Sequence, residues 1–269
     1  MLVKFPRRRA MLVTLALSTV LAACGHMPGQ SPKNTITVIS SGGFASSVEA
    51  LAPQFEKQSG YHVEIVHGSS MGGAPDSIPA RLDRQEPADM VILARKSLDQ
   101  LVNKGQVVKG SQVDLVRSLI GISVQKGAPK PDISSAEAVK RALLAAPSIA
   151  YSASASGTYY EKEMIKKLGI EAQVKPKSKR IVSERVGAVV ARGDAALGLQ
   201  QVSELLPIKG ADYVGPLPPA LQKATVFSAG VTTHARNQQG ANDLIKFLTS
   251  PAAVQTIQQN GLEPAFPAQ

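Results

Sequence analysis

The feature that most constrains the fold is an alternation of short β-rich runs with amphipathic helical segments, which continues from Thr35 almost to the end of the chain. In the first pair, a β-rich run over 35–39 precedes a segment whose apolar residues, from Val48 to Phe55, fall on one face of a helix. Repeated strand–helix–strand connections imply parallel strands with helices on both faces, and a second block of the same kind implies two lobes. The sequence therefore predicts an α/β protein.

The predicted helices and strands can be placed by residue range. The predicted helices cover 45–58, 76–83, 96–104, 135–145, 158–168, 183–192, 241–248 and 252–259. The predicted strands cover 35–39, 62–66, 88–93, 119–124, 148–151, 196–200 and 224–232.

The N-terminus predicts an exported protein. Four basic residues between Lys4 and Arg9 precede an apolar run over 11–20, and Leu-Ala-Ala-Cys24 follows, which is the layout of a secretory signal. The apolar run is too short to span a membrane comfortably. The single cysteine at this junction resembles a bacterial lipobox, so we expect a signal peptide over 1–23, lipidation of Cys24, a tether over 24–34 and a periplasmic location. A plain cleaved signal with an incidental thiol is the alternative.

Composition restricts the class of ligand. Of the net charge of +10, four charges lie in the signal, so the mature chain of about 245 residues carries +6, which favours anionic ligands. Aromatic residues make up only 4% of the chain, which argues against base-stacking platforms and therefore against nucleic acid as a partner. With one cysteine there is no intrachain disulfide.

The turn between the first predicted strand and helix has the composition of an anion site. It reads Ser40-Ser41-Gly42-Gly43, and small residues before a helix let an anion approach the unpaired N–H groups of its first turn. We expect this turn to form one wall of a cleft. An ordinary βα turn, in which serine and glycine serve only for capping, is the alternative.

Four segments together resemble a known family. They read ITVISSGGFASSVEALAPQFEKQSGYHVEIVHGSS, PADMVILA, SASGTY and GDAALGLQQVSEL, in that order behind an export signal. This pattern resembles the molybdate-binding branch of the type II periplasmic solute-binding proteins. The resemblance implies two lobes, 35–115 plus 227–269 and 116–226, with mixed sheets, helices on their faces and a cleft between them. It also implies a monomer that captures a small anion for the permease of an ABC importer.

The resemblance transfers to individual positions only in part. Gly43 stands where the family's first ligand serine is expected, Ser70 stands at the second serine, Gly157 at the helix start of the second lobe, Ser183 in the next loop, and Gln201 at the ligand tyrosine. A lost serine and a lost tyrosine depart from the molybdate pattern. The full set of predicted ligand-binding residues is Ser40, Ser41, Gly43, Ser69, Ser70, Arg95, Ser156, Gly157, Ser183 and Gln201.

Arg95 points to a different kind of anion. It follows the predicted strand 88–93, where the family usually has an acidic residue, and residues at the carboxyl ends of strands face the crevice of an open α/β sheet. A guanidinium pairs well with a carboxylate through two parallel N–H···O bonds. The sequence thus predicts an organic polycarboxylate held by Arg95, with Arg185 as a second candidate clamp and a solvated helix start as the alternative interpretation of Arg95.

Motifs of catalysis are absent from the sequence. There is no HExxH, CxxC, GxxxxGK[ST] or GxGxxG after a strand, so the sequence predicts neither a cofactor nor a metal site and favours a binding protein over an enzyme. A periplasmic isomerase that shifts a proton on an unsaturated tricarboxylate such as aconitate, with His67 and Arg95 as its catalytic residues, is the second hypothesis. A surface-tethered sensor is the third.

Overall fold

The structure is a computed structural model that describes residues 1–2, 34–71 and 73–266, and residues 32–269 form one unit. Nearly all of the predicted signal peptide, Cys24 and nearly all of the tether lie outside the described residues. Within the described residues, no helix combines the length and the apolar character needed to cross a bilayer.

Eleven strands are present in the described residues. They are β1 (Thr35–Ser40), β2 (His62–His67), β3 (Met90–Ala94), β4 (Val113–Ser118), β5 (Ile120–Gln125), β6 (Ile149–Ser152), β7 (Ser178–Ile181), β8 (Leu197–Gln201), β9 (Ala211–Pro216), β10 (Thr225–Val231) and β11 (Leu262–Pro264).

Eleven α-helices lie between these strands in the described residues. They are α1 (Gly42–Ser59), α2 (Ile78–Asp83), α3 (Arg95–Asn103), α4 (Ala136–Ala145), α5 (Ala155–Tyr159), α6 (Ile165–Lys167), α7 (Glu171–Val174), α8 (Val186–Ala191), α9 (Val202–Leu205), α10 (Gln238–Leu248) and α11 (Pro251–Gln259). A π-helical turn, Tyr160–Met164, joins α5 to α6, and 3₁₀ turns cover Lys175–Lys177 and Pro219–Leu221.

The first sheet has six strands in the order β11-β4-β10-β3-β1-β2. Strands β1, β2 and β3 are parallel, whereas β10 runs antiparallel to both β3 and β4. Helix α1 packs its apolar face on this sheet through Phe44, Val48, Leu51 and Phe55, all of which are buried. This burial holds the start of α1 at the carboxyl end of β1, where the sequence predicts an anion site.

The second sheet has five strands in the order β7-β6-β8-β5-β9. Strand β6 is parallel to β7 and β8, and β5 is antiparallel to β8 and β9. Its core includes Ile122, Tyr151, Tyr160 and Leu199. The predicted α/β fold with two mixed sheets flanked by helices is confirmed.

The chain passes between the two sheets at Leu119, between β4 and β5, and again between β9 and β10. The side chain of Gln222 ties these two passages together. Its Oε1 accepts from the Ile120 N–H at 2.8 Å, and its Nε2 donates to the Ile120 carbonyl at 3.0 Å. The two connecting segments are therefore joined to each other where they cross.

The predicted elements differ from the structure in the extent of two helices and in several elements that were not predicted, which include the short helices α7 and α9. The predicted helix over 158–168 is divided by the π-helical turn, and the predicted helix over 183–192 begins only at Val186, because Ser183–Arg185 remain extended or bent at the end of the second sheet. Four strands were not predicted, namely β4, β7, β9 and β11. Strands β7 and β9 alternate poorly and keep several residues partly exposed, so they lack a strong apolar pattern.

Candidate functional site

A cavity of about 250 Å³ lies between the two sheets. The carboxyl ends of β1 and β2 and the start of α1 form one wall, and the ends of β6, β7 and β8 with α9 form the other. Its polar lining residues are Ser41, His67, Ser69, Asp76, Ser152, Ser154, Ser183, Glu184, Arg185, Gln200 and Glu204. Both lobes thus contribute polar groups to one cavity, as a site that surrounds a small ligand requires.

The start of α1 offers unpaired hydrogen-bond donors to this cavity. Ser41 is the N-cap residue, its side chain makes no capping bond, and its Oγ is buried without a hydrogen-bond partner among the described residues. The first N–H groups of an α-helix have no partner within the helix. Since α1 has 18 residues, its positive dipole end adds to these donors and favours an anion beside Ser41.

Gly43 has a steric reason to lack a side chain. A Cβ at this position would lie 2.1 Å from Cζ of Phe227, whose ring lies beneath the turn. A serine could not occupy the same backbone position without displacing this buried ring. The space that a side chain at Gly43 would need is therefore filled by an aromatic ring from β10, while the neighbouring Ser41 lines the cavity.

Glu204 is the most unusual group in the cavity. It lies on α9, is only 9% exposed, and its Oε1 accepts from Nε2 of Gln200 at 2.9 Å. Burial raises the pKa of Glu204 to about 7, while Arg185 and the Gln200 hydrogen bond act in the opposite direction. At neutral pH this carboxyl group can therefore both accept and donate a proton.

Gly42 makes the position of Glu204 possible. A Cβ on Gly42 would lie 2.1 Å from Oε1 of Glu204, so any other residue would displace the carboxyl group. Next to it, the hydroxyl of Ser203 donates to the carbonyl of Gly43 at 2.8 Å. Helix α9 of the second lobe is thus fitted directly onto the first turn of α1 in the first lobe.

Arg185 brings a positive charge to the same cavity. It is the N-cap residue of α8, with an extended backbone (φ −71°, ψ 133°). No carboxylate of the described residues forms an ion pair with it, in contrast to Arg192, which pairs with Glu184 at 2.8 Å. Arg185 is therefore available to a carboxylate of a bound ligand.

His67 lies at the mouth of the cavity rather than inside it. Its side chain is 58% exposed, and Nε2 lies 3.1 Å from Oε1 of Glu49. The imidazole thus lies beside a carboxylate at the solvent-exposed surface, whereas Glu204 is buried.

Four of the ten predicted ligand residues line this cavity. Among the ten, the lining includes Ser41, Gly43, Ser69 and Ser183, and it also includes Arg185 and His67. Ser40, Ser70, Arg95, Ser156, Gly157 and Gln201 are not part of it.

The hydroxyls outside the cavity have structural roles. Oγ of Ser70 accepts from the N–H of Ala94 at 2.9 Å, which fixes the loop after β2 to the end of β3. Oγ of Ser156 lies 3.0 Å from Oγ of Ser152. A Cβ on Gly157 would lie 1.6 Å from the carbonyl oxygen of Ser152, so this glycine serves close packing of α5 against β6.

Arg95 and Gln201 face away from the cavity. Arg95 donates to Asp99 at 2.9 Å and to Asp114 at 2.6 Å, and it lines a separate pocket beside α5. Nε2 of Gln201 donates to Oγ1 of Thr225 at 3.0 Å. The cation that the structure brings to the cavity is therefore Arg185, the second of the two predicted arginines.

The sequence interpretation did not single out Glu204 or Gln200. Both lie in the segment GDAALGLQQVSEL, and the one usable signal is an acidic residue four positions after a glutamine at the end of a buried strand. Among the described residues, no group of three His, Cys, Asp or Glu side chains could hold a metal ion.

Comparison with known proteins agrees with this architecture. The family model of the bacterial extracellular solute-binding proteins matches residues 36–263. A curated relative, aconitate isomerase of a Pseudomonas species, is 43% identical over 265 residues, covering 98% of this chain and 99% of the relative.

Two solved structures share the fold at low sequence identity. The periplasmic molybdate-binding protein of Azotobacter vinelandii has a TM-score of 0.65 and 22% identity, with 86% of this chain and 99% of that chain covered. The substrate-binding domain of a putative molybdenum ABC transporter from Clostridium difficile has a TM-score of 0.63 and 16% identity, with 85% and 98% covered. The chain belongs to the bacterial extracellular solute-binding proteins.

Proposed function

We propose that this protein is an isomerase that interconverts the cis and trans forms of aconitate, an unsaturated tricarboxylate. The observation that carries the proposal is the buried carboxyl group of Glu204, with a pKa of about 7, in a cavity that also presents the guanidinium of Arg185 and the first turn of α1. A protein that only binds a polyanion gains nothing from a buried carboxyl group facing it, because the two repel when both are ionised. The full-length relative named aconitate isomerase supports the same assignment.

The reaction needs one base and no cofactor. Aconitate carries a CH₂ group next to its C=C bond. Removal of a proton from this carbon breaks a C–H bond and leaves a carbanion delocalised over three carbons and into the attached carboxylates. Return of the proton to the far carbon of this system forms the new C–H bond and moves the C=C bond, whose geometry is set as it forms. No electrons are gained or lost overall.

Glu204 has the properties that this proton transfer requires. General acid–base catalysis works best when the pKa of the group lies near the working pH, and burial brings Glu204 there. In this cavity Glu204 takes the proton from the CH₂ group as a carboxylate and returns it as a carboxylic acid. His67 is more exposed and lies beside Glu49, so Glu204 replaces it as the proposed catalytic residue.

The remaining donors suit the carboxylates of the substrate. Arg185 supplies a fork of N–H groups to one carboxylate, and Ser41 with the first N–H groups of α1 supplies donors to another. Ser183, on the wall formed by the second lobe, is the proposed donor to the third, whereas the hydroxyl of Ser69 already donates to the carbonyl of Met71 at 2.7 Å. These donors also stabilise the negative charge that moves onto the carboxylates in the carbanion.

Capture of an anion for an ABC importer is the second candidate function. The family and the fold favour it, because the same cavity could hold a carboxylate without changing it. Both functions operate outside the cytoplasm, and we propose anchoring by a lipid on Cys24 in either case. Palmitate labelling of cells that express the wild-type chain or the Cys24→Ser variant tests the anchor.

One experiment separates the two functions. The full chain is mixed with cis-aconitate or with trans-aconitate, and proton NMR follows the vinyl and CH₂ signals of both isomers. We expect each isomer to convert into the same equilibrium mixture. In the Glu204→Gln variant the rate should fall at least about 100-fold, the usual contribution of a general base, while aconitate still binds.

Glu184→Gln is the matched control for this experiment. Glu184 also lines the cavity, but it is ion-paired with Arg192 and about half exposed, so its variant should retain at least half of the rate. Binding of aconitate by the wild-type chain without any conversion would overturn the isomerase proposal and leave capture for import.

A further inference from the structure

Gln200 makes two hydrogen bonds that leave its side chain a single orientation. It ends β8, is 3% exposed, and its Oε1 accepts from the N–H of Val186 at 2.8 Å. A backbone N–H can only donate, so the amide oxygen of Gln200 must face Val186. The amide nitrogen then necessarily faces Glu204, to which it donates at 2.9 Å.

We propose that Gln200 is a positioning residue for the isomerisation, which holds Oε1 of Glu204 as an acceptor and leaves Oε2 as the oxygen that takes and returns the substrate proton. This inference rests on the proposed function. It assigns the two oxygens of one carboxyl group to different tasks, and it makes α8 and β8 part of the catalytic geometry through the backbone N–H of Val186.

The surroundings of the carboxyl group support this division. Oε1 is held between Gln200 and the bare Cα of Gly42, so this oxygen has no room for a substrate carbon. Oε2 has no hydrogen-bond partner among the described residues. Because an N–H of Gln200 already occupies Oε1, the proton of neutral Glu204 resides on Oε2.

The charged groups around Glu204 set the direction of the expected effect. Arg185 precedes α8 and favours the ionised form, as does the Gln200 N–H, whereas burial opposes it. Glu184, His67 and Asp76 line the same cavity from the second and first lobes. The turn of α1 that faces Glu204, Ser41–Gly43, carries no ionisable side chain.

The test is the Gln200→Met variant of the full chain. Methionine keeps the length of the side chain but cannot donate, so the ionised form of Glu204 loses a partner and its pKa rises. We expect the midpoint of the rise of kcat/KM with pH to move upward by about one pH unit, the size of one hydrogen bond to a charged group. Gln201→Met is the matched control, since Gln201 is equally buried but donates to Thr225 outside the cavity, and its midpoint should stay at the wild-type value.

A second variant and a second readout keep the test decisive if Gln200→Met does not fold. Val186→Pro removes the N–H that orients Gln200 and exchanges one buried apolar side chain for another at the first position of α8, and the extended backbone of Arg185 is the conformation that a following proline requires. The amide can then rotate and accept from protonated Glu204, so the midpoint should again move upward. Carboxyl ¹³C NMR of glutamate-labelled protein, with the Glu204 signal identified by its loss in Glu204→Gln, follows the same titration without substrate.

The outcomes separate this inference from the proposed function. An isomerase whose kcat/KM midpoint and Glu204 signal are unchanged in folded Gln200→Met overturns the role of Gln200. A wild-type chain that does not isomerise aconitate, but whose Glu204 signal shifts in Gln200→Met, overturns the isomerase while supporting the hydrogen-bonded orientation of the carboxyl group.

Discussion

Replacement of Glu204 by glutamine should change how the stability of the protein depends on pH. Burial raises the pKa of Glu204 from its ordinary value of 4.5 to about 7 in the folded state. A carboxyl group whose pKa is raised by folding contributes its full stability below pH 4.5, and this contribution is lost as the pH rises through 7. Each pKa unit corresponds to about 1.4 kcal/mol. Compared with a variant that has a neutral residue at position 204, the wild-type protein should therefore lose about 3 kcal/mol of stability between pH 4 and pH 8.

Glutamine is neutral at every pH and keeps an oxygen for the Gln200 hydrogen bond. In thermal unfolding of the ligand-free protein, we therefore compare the free energy of unfolding of Glu204→Gln with that of the wild type. We expect this difference to favour the variant by about 3 kcal/mol more at pH 8 than at pH 4. For a chain of this size that is a relative rise of roughly 6–12 °C in the unfolding midpoint. Glu184→Gln should show no such gain, because Arg192 lowers the pKa of that carboxyl group. Parallel pH curves for wild type and Glu204→Gln would refute the buried-acid interpretation.

Three further substitutions test the arrangement of the cavity. Arg185→Leu should weaken aconitate binding about 10- to 100-fold in calorimetry, because a carboxylate loses a hydrogen bond to a charged donor worth about 1.5–3 kcal/mol; unchanged affinity would remove Arg185 from the site. Gly42→Ala should lower kcat at least about tenfold in the NMR assay with little loss of stability, since the new Cβ displaces the flexible end of Glu204; a wild-type kcat would contradict the required position of Glu204. Arg95→Ala should leave aconitate affinity within about twofold of the wild type, because Arg95 is paired with Asp114 outside the cavity; a large loss would return Arg95 to the site.

The sequence was sufficient for the architecture and for one wall of the site. The spacing of apolar residues predicted most helices and strands, because the buried face of a helix or strand repeats at a fixed interval in the local sequence. The turn before α1 was recognised for the same reason, since strand, small residues and helix are adjacent in the chain. Gly43 could be located but not explained, because the ring that occupies its side-chain space is Phe227, far along the sequence.

The proposed catalytic group, Glu204, and the arginine of the cavity, Arg185, could not be assigned from local pattern. Glu204 becomes buried only because α9 packs on α1, across about 160 positions of sequence, and no periodicity records that contact. Arg95 does follow the end of a strand as predicted, but its direction is set by Asp114 on β4, a strand that the sequence pattern did not reveal. The direction of a side chain at a strand end depends on such distant partners, whereas the position of the strand can be recognised from the local sequence.

For the proposed isomerase, the hydrogen bond from Ser203 to the carbonyl of Gly43 bears on how the product would leave. It joins the two lobes one residue away from Glu204, so any separation of the sheets wide enough to release a ligand must break this bond. The same separation carries Glu204 away from the first turn of α1 and into water, where its pKa falls and its proton exchanges. In the proposed isomerase, Glu204 would then be too far from the departing product to transfer a proton to or from it. Opening of the cavity would therefore release the product without a further reaction.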